Sequence, residues 1–337
     1  EHLEKQTKEQ LGSKNRRRVM LISGAFLIIV ISSIFYFISN ENSDNHFSLE
    51  KSIAVLPFKN ESTDVSNVYI VNGLMESTLS NLQKIQDLRV ISRSSVERYR
   101  NTDNTIPEMA EALKVSYFVA GSGQKIGDQV LLNIQLIEAS TNRQIWAEQY
   151  NRKVVDIFEL QNEVAGEIVS SIEAVVTPEE LQQIAKKPTE NLVAYDYFLQ
   201  GMEPYISRTN EGLKEAIGLF NQAIAEDPEF ALAYANVAIS YYLLEMFQVD
   251  KEFTEEMNSY ADKALLYDPK SAESLIAKGL YYIQTKEYNL ALPHLEKALE
   301  YNPNSSFAVQ MLADFYFRMI PNTDKYLEYA LKGVKLS

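Results

Sequence analysis

The sequence predicts a chain of mixed class, α/β plus all-α: a transmembrane helix, then an α/β domain, then an α-solenoid of helical hairpins. Three observations predict it. An uncharged run of 20 residues fills positions 19–38. Short β-branched runs alternate with amphipathic stretches over 51–176, and from residue 192 onward apolar residues recur at helical spacing with a proline closing each hairpin.

The run at 19–38 reads VMLISGAFLIIVISSIFYFI. At about 1.5 Å per residue, a helix of that length crosses a hydrocarbon core ~30 Å thick. A cleavable signal peptide would carry an apolar region of about 7 to 15 residues ending in a small-x-small site, which Phe35, Tyr36 and Phe37 do not supply. Lys5, Lys8, Lys14, Arg16, Arg17 and Arg18 precede the run, and Lys51 is the next lysine or arginine after it. The positive-inside rule then places the amino terminus in the cytoplasm and the later domains outside, as in a single-pass inner-membrane protein. Residues 1–18 form a cytoplasmic linker and 39–50 a polar tether on this reading.

Within 51–176, residues 52–58 (SIAVLPF) read as a strand, and Val71, Leu74, Met75, Leu79 and Leu82 as the stripe of a helix. Residues 88–92 form a second strand. Thr105 caps a second helix with Pro107 in its first turn. A third strand starts at Tyr117, Gly127-Asp128 turns into a long alternating strand over 129–138, and Ser140-Thr141-Asn142 turns into another over 144–150. Phe158, Val164, Ala165, Ile168, Ile172 and Val175 mark a closing helix. Trp146, between Ile145 and Ala147 on a strand, is expected in the core.

The segments SIAVLPFKNESTD, NGLMESTLSNL, LRVISRSS, LKVSYFVAGSGQKIGDQVLLNIQLIEASTNRQIWAEQY and DIFELQNEVAGEIV together resemble the TolB-type amino-terminal domain of bacterial sensor proteins. That resemblance implies a non-enzymatic protein-binding module.

Residues 177–191 connect this domain to the repeats. AIAEDP, ALLYDP and ALEYNP end three hairpins at Pro228, Pro269 and Pro303, each with an alanine five residues earlier: Ala223, Ala264 and Ala298. The last two prolines stand 34 residues apart, the tetratricopeptide period. Gly201, Ala238, Gly279 and Ala313 fall where paired helices approach closely. The second repeat is about seven residues longer, through 248–255. About four repeats fill 192–337, the last cut short, so a proline is expected after Ser337, further hairpins beyond it, and a folded output domain before residue 1.

Several chemistries are excluded or disfavoured. A net charge of −14 repels phosphate backbones, so nucleic acid is not an expected partner. No cysteine is present, which removes disulfides, thiolate metal sites and cysteine nucleophiles. His2, His46 and His294 are scattered, and no metal, cofactor or small-molecule substrate is expected. Gly121, Ser122, Gly123 and Gly127 suggest a phosphate loop only superficially, since a hairpin strand follows where a helix would have to open. Arg89, Arg93, Arg98 and Arg100 read as a solvated basic edge, with an anionic partner as the alternative. No motif of hydrolysis or phosphoryl transfer occurs, so no catalytic residues are assigned.

The candidate partner site lies in the repeats. Residues flanking the small positions of the first helices, Ile239, Tyr242, Ile276, Leu280, Ile283 and Phe317, would give an apolar concave wall that takes a protein or peptide. The alternative is that stacking between hairpins buries them. Residues 189–337 hold 22 acidic and 12 basic side chains, which would steer basic or amphipathic segments. The functional expectation is a membrane-anchored sensor or scaffold relaying an interaction to an output domain. The architecture also resembles the regulatory half of class III nucleotide cyclases, or of membrane-bound winged-helix transcription regulators. The oligomeric state, a homodimer included, stays open.

Overall fold

Residues 52–55 (SIAV) are apolar almost throughout and form strand β1 (Ser52–Val55), buried at all four positions. That continuous burial follows from its place inside the sheet, between parallel neighbours on both sides. The computed structural model describes residues 51–62 and 67–337. β2 (Lys59–Asn60), β3 (Arg89–Val90), β4 (Tyr117–Ile126), β5 (Gln129–Glu138) and β6 (Arg143–Lys153) complete a sheet of order β3-β1-β4-β5-β6, with β2 paired to β4. β4, β5 and β6 form the expected antiparallel meander, and Gly127 turns the first hairpin with φ +62°.

Helix α1 (Val68–Gln83) buries Ile70, Val71, Leu74, Met75, Leu79 and Leu82. A short helix α2 (Arg93–Glu97) follows β3, and α3 (Ile106–Leu113) starts on a capping box of Thr105 and Glu108 with proline in the first turn. α4 (Ile157–Ser171) packs on α1 and β6, and α5 (Pro178–Ala185) occupies the connection. Trp146 departs from expectation. It pairs with Leu136 while Gln144 pairs with Ile137, so Ile145 is the extra residue of a bulge in β6. The alternation therefore breaks, and Trp146 ends half-buried at the sheet edge.

The remaining chain forms antiparallel helix pairs: α6 (Leu192–Ser207) with α7 (Asn210–Glu226), α8 (Ala231–Glu245) with α9 (Thr254–Tyr267), and α10 (Ala272–Gln284) with α11 (Tyr288–Tyr301). α12 (Ser306–Asp314), a π turn (Phe315–Met319) and α13 (Thr323–Lys335) make a fourth pair. The alanine-to-proline spacing has a local cause. The amides of Asp227, Asp268 and Asn302 donate to the carbonyls of Ala223, Ala264 and Ala298, each at 2.9 Å. The proline that follows has no N–H to extend the helix. A Cβ on Gly201 would lie 2.7 Å from the Phe220 ring and one on Gly279 2.9 Å from Leu295, so glycine sets the closest approach within two of the pairs.

The added residues of the second repeat form a loop held by one carboxylate. Glu245, 1% exposed, accepts through Oε1 from the amides of Glu252 and Phe253 and through Oε2 from Gln284 Nε2 at 3.0 Å. Phe247 and Val249 stand outside on that loop, 90% and 95% exposed.

The membrane reading requires correction. Among the described residues no helix is long and apolar enough to cross a membrane, which overturns the inner-membrane, extracytoplasmic localisation. The physical reason is visible in α7, the longest helix among the described residues. It buries Leu213, Ala216, Ile217, Phe220 and Ala223, and carries Glu211, Lys214, Glu215 and Glu226 on the same 17 residues. Residues 19–38, the linker 1–18 and the tether 39–50 lie outside the described residues.

Candidate functional site

Two faces of α1 are committed in different directions. One carries the apolar stripe onto the sheet; the other, with Tyr69, Gly73, Glu76, Ser77 and Ser80, meets the first helices of the repeats. Tyr69 Oη donates to Asp196 Oδ1 at 2.6 Å, and burial together with that carboxylate holds the phenol protonated well above its ordinary range. At Gly73 a Cβ would lie 2.7 Å from Leu199 Cδ2, so glycine lets α1 and α6 touch.

The far end of the array closes on the same region. Asn304, 4% exposed, accepts from the Val90 amide at 3.1 Å and donates through Nδ2 to the carbonyls of Gln83 (3.2 Å) and Ile85 (3.0 Å). The Ser92 amide donates to the Leu336 carbonyl at 2.8 Å, and Arg89 Nη1 to the Lys335 carbonyl at 2.7 Å. The repeats thus clasp the α/β region at two places, α1 through α6 and the segment after α1 through Asn304 and the end of α13.

Between α1 and the concave wall remains a cavity of about 280 Å³. Phe158, Tyr195, Phe198, Ile239, Ile276 and Phe307 give it an apolar lining, and Glu76, Lys84, Lys186, Arg208 and Glu273 bring charge to it. Gln161 Nε2 donates to Tyr195 Oη at 2.9 Å, while burial pushes the Tyr195 pKa up to about 12. Lys84 Nζ donates to Asn81 Oδ1 (3.1 Å) and to the Gln183 carbonyl (3.0 Å), and burial pushes its pKa below the usual lysine value.

Of the six residues expected on the concave wall, Ile239 and Ile276 line this cavity, and Tyr242, Leu280 and Ile283 are also buried. Phe317, on the π turn of the fourth pair, is 61% exposed and stacks near Tyr326. The arginine cluster is used inside the fold: Arg93 pairs with Glu76 (2.6 Å) and Glu97 (3.1 Å), Arg100 with Glu97, and Arg98 donates to the Ser95 carbonyl. The Gly121-Ser122-Gly123 run lies inside β4, where a Cβ on Gly121 would meet the Phe58 ring at 2.9 Å. Packing, not phosphate, accounts for it. Among the described residues no group of three or more His, Asp or Glu side chains could hold a metal ion. Sequence reasoning missed Asn304, Lys84 and Arg208, since a lone asparagine after a proline and two isolated cations carry no spacing signal.

Comparison with known proteins finds matches to two parts of the chain. Residues 49–167 match the family described as "HilA/YgeH-like transcriptional regulator, second domain", and 272–305 match the tetratricopeptide repeat family. The 272–305 hairpin is a tetratricopeptide repeat. Over 188 residues, 56% of the chain, it is 30% identical to a putative adenylate cyclase 3 of Rhizobium meliloti, covering 32% of that protein. Over 139 residues, 40% of the chain, it is 29% identical to response regulator aspartate phosphatase H of Bacillus subtilis, covering 35% of it. The chain spans about a third of the length of these curated relatives. A solved structure of TolB from Acinetobacter baumannii aligns over 36% of this chain and 28% of its own, with a TM-score of 0.28 and 18% identity, too distant to support an argument.

Proposed function

We propose that this chain is a non-catalytic regulatory module. Its repeats recognise a protein partner, and its α/β region, docked in their groove, responds to that event. The observation that carries this reading is the clasp: one helix of the α/β region packs on α6 and faces, across a cavity, the inner wall of an array whose repeat type serves protein recognition. Residues 51–176 and 192–337 act as two domains joined by 177–191. Phe317 is open to a partner directly, whereas Ile239 and Ile276 are reached only when α1 leaves. Tyr242, Leu280 and Ile283 belong to the same wall. The acidic excess of 189–337 favours a basic or amphipathic partner.

The output served is a nucleotide cyclase on one reading, supported by the identity to the putative adenylate cyclase. Transcriptional control is the other, supported by the regulator family matched at 49–167. In both, chemistry belongs elsewhere and this chain supplies recognition. The test uses benzoylphenylalanine placed at Phe317 or Ile239 and irradiated in the host cell. A discrete adduct with one protein is expected from Phe317. The purified chain with ATP and magnesium should release neither pyrophosphate nor cyclic nucleotide. Turnover by the purified chain, or no adduct from either position, would overturn the reading.

A further inference from the structure

The cavity between α1 and the repeats holds an imbalance of charge. Five charged side chains line it. Two are neutralised: Glu76 by Arg93 at 2.6 Å and Lys186 by Asp268 at 2.7 Å. Glu273 accepts from Ser271 Oγ at 3.0 Å. Lys84 reaches only neutral oxygens, those of Asn81 and Gln183. Arg208 stacks over Tyr205 at 4.2 Å and Phe307 at 5.6 Å, and forms no ion pair among the described residues. Lys84 and Arg208 against Glu273 leave one positive charge in excess beside an apolar chamber. Arg208 is exposed at the mouth of the cavity, whereas Lys84 is half-buried without a carboxylate partner, and a charge withdrawn from water is ordinarily paired because desolvation penalises the uncompensated ion.

We infer that this cavity binds a small monoanionic amphiphile, a carboxylate on an apolar or aromatic body, with Lys84 and Arg208 receiving the anion. The size fits. The cavity of about 280 Å³ is roughly twice the ~150 Å³ void that accepts benzene and near the lower end of ordinary ligand pockets, about 300 Å³. Phe158, Tyr195, Phe198 and Phe307 supply flat walls for the body, and guanidinium suits a carboxylate by its fork of donors. The cavity is lined by α1 and by the first helices of four pairs, so occupancy tightens the clasp. This goes beyond the recognition of a protein partner and does not depend on it: the ligand acts as an effector and is not consumed.

Isothermal titration of the purified full chain tests it, with octanoate and 3-phenylpropanoate as probes and octanol and 3-phenylpropanol as their uncharged counterparts. At least one acid should bind saturably with one site per chain, at least tenfold more tightly than its alcohol. Arg208→Asn should weaken that acid at least fivefold and leave the alcohol unchanged. Arg208 is exposed and has φ +54°, a conformation asparagine tolerates, so this variant keeps the fold. Lys84→Met provides the second variant, with its folding checked by circular dichroism. No saturable binding of either acid, equal binding of acid and alcohol, or wild-type affinity in Arg208→Asn would each overturn the assignment.

Discussion

Asn304→Ala is the most informative single change, because one side chain joins the last repeats to the α/β region. The substitution removes three hydrogen bonds, from the Val90 amide and to the Gln83 and Ile85 carbonyls, while the Asn304 amide still reaches the Gln83 carbonyl at 3.3 Å. A hydrogen bond contributes about 1 kcal/mol net, and a buried donor left alone costs about 1–3 kcal/mol. Val90 is fully buried, so its amide gains no water in exchange. The expected loss is about 3 kcal/mol, roughly a hundredfold in the folding equilibrium. With a urea slope of about 3 kcal/mol/M for a unit of this size, the midpoint should fall by about 1 M. Two probes read the two regions: Trp146 fluorescence follows the sheet, and helical circular dichroism follows mainly the repeats. Wild type should give coincident transitions and Asn304→Ala separated ones. Asn304→Asp keeps the acceptor for Val90 but points oxygen at two carbonyls, and should do no better. A loss below about 0.5 kcal/mol with coincident transitions would refute the reasoning.

Other changes test separate parts of the fold. Glu245→Ala frees the amides of Glu252 and Phe253, so hydrogen exchange over 246–253 should accelerate at least tenfold; unchanged protection would show the loop is held otherwise. Gly279→Val forces Leu295 aside and should cost about 1–3 kcal/mol by urea unfolding. Alkaline pH should destabilise through Tyr195, whose pKa rises from 10.0 unfolded to about 12 folded. The folded state then holds its proton longer, so the contribution is present below pH 10 and lost as pH climbs toward 12, amounting to roughly 3 kcal/mol. Tyr195→Phe removes that dependence, and a parallel decline in both proteins would contradict it.

Much of the fold was legible because local rules and burial agreed. Pro228, Pro269 and Pro303 sit where a helix loses its last donor, and Gly201 and Gly279 where helices touch. The Thr105–Glu108 box and the Gly127 turn are likewise short-range. Trp146 was misplaced because a bulge shifts alternation by one residue and leaves no mark in composition. Arg93–Glu97 escaped as a helix because five residues are too few for periodicity to show. The candidate site was hardest to read. Ile239 and Ile276 are legible as part of a wall, but that α1 faces it depends on contacts such as Tyr69 with Asp196, 127 residues apart. Nothing local encodes such a pairing.

The clasp also has a consequence in time. Ile85 meets Asn304 across 219 residues of chain, and ribosomes add about 5 to 20 residues per second. During synthesis, the α/β region therefore waits roughly 10 to 40 s between the emergence of α1 and the arrival of the residue that fastens it. The face around Gly73 is covered earlier, once Leu199 of α6 has emerged, but the segment around Ile85 and Val90 stays bare for the whole interval in every nascent copy. A chaperone or an early partner meets it there first, before the chain's own repeats compete for the same surface.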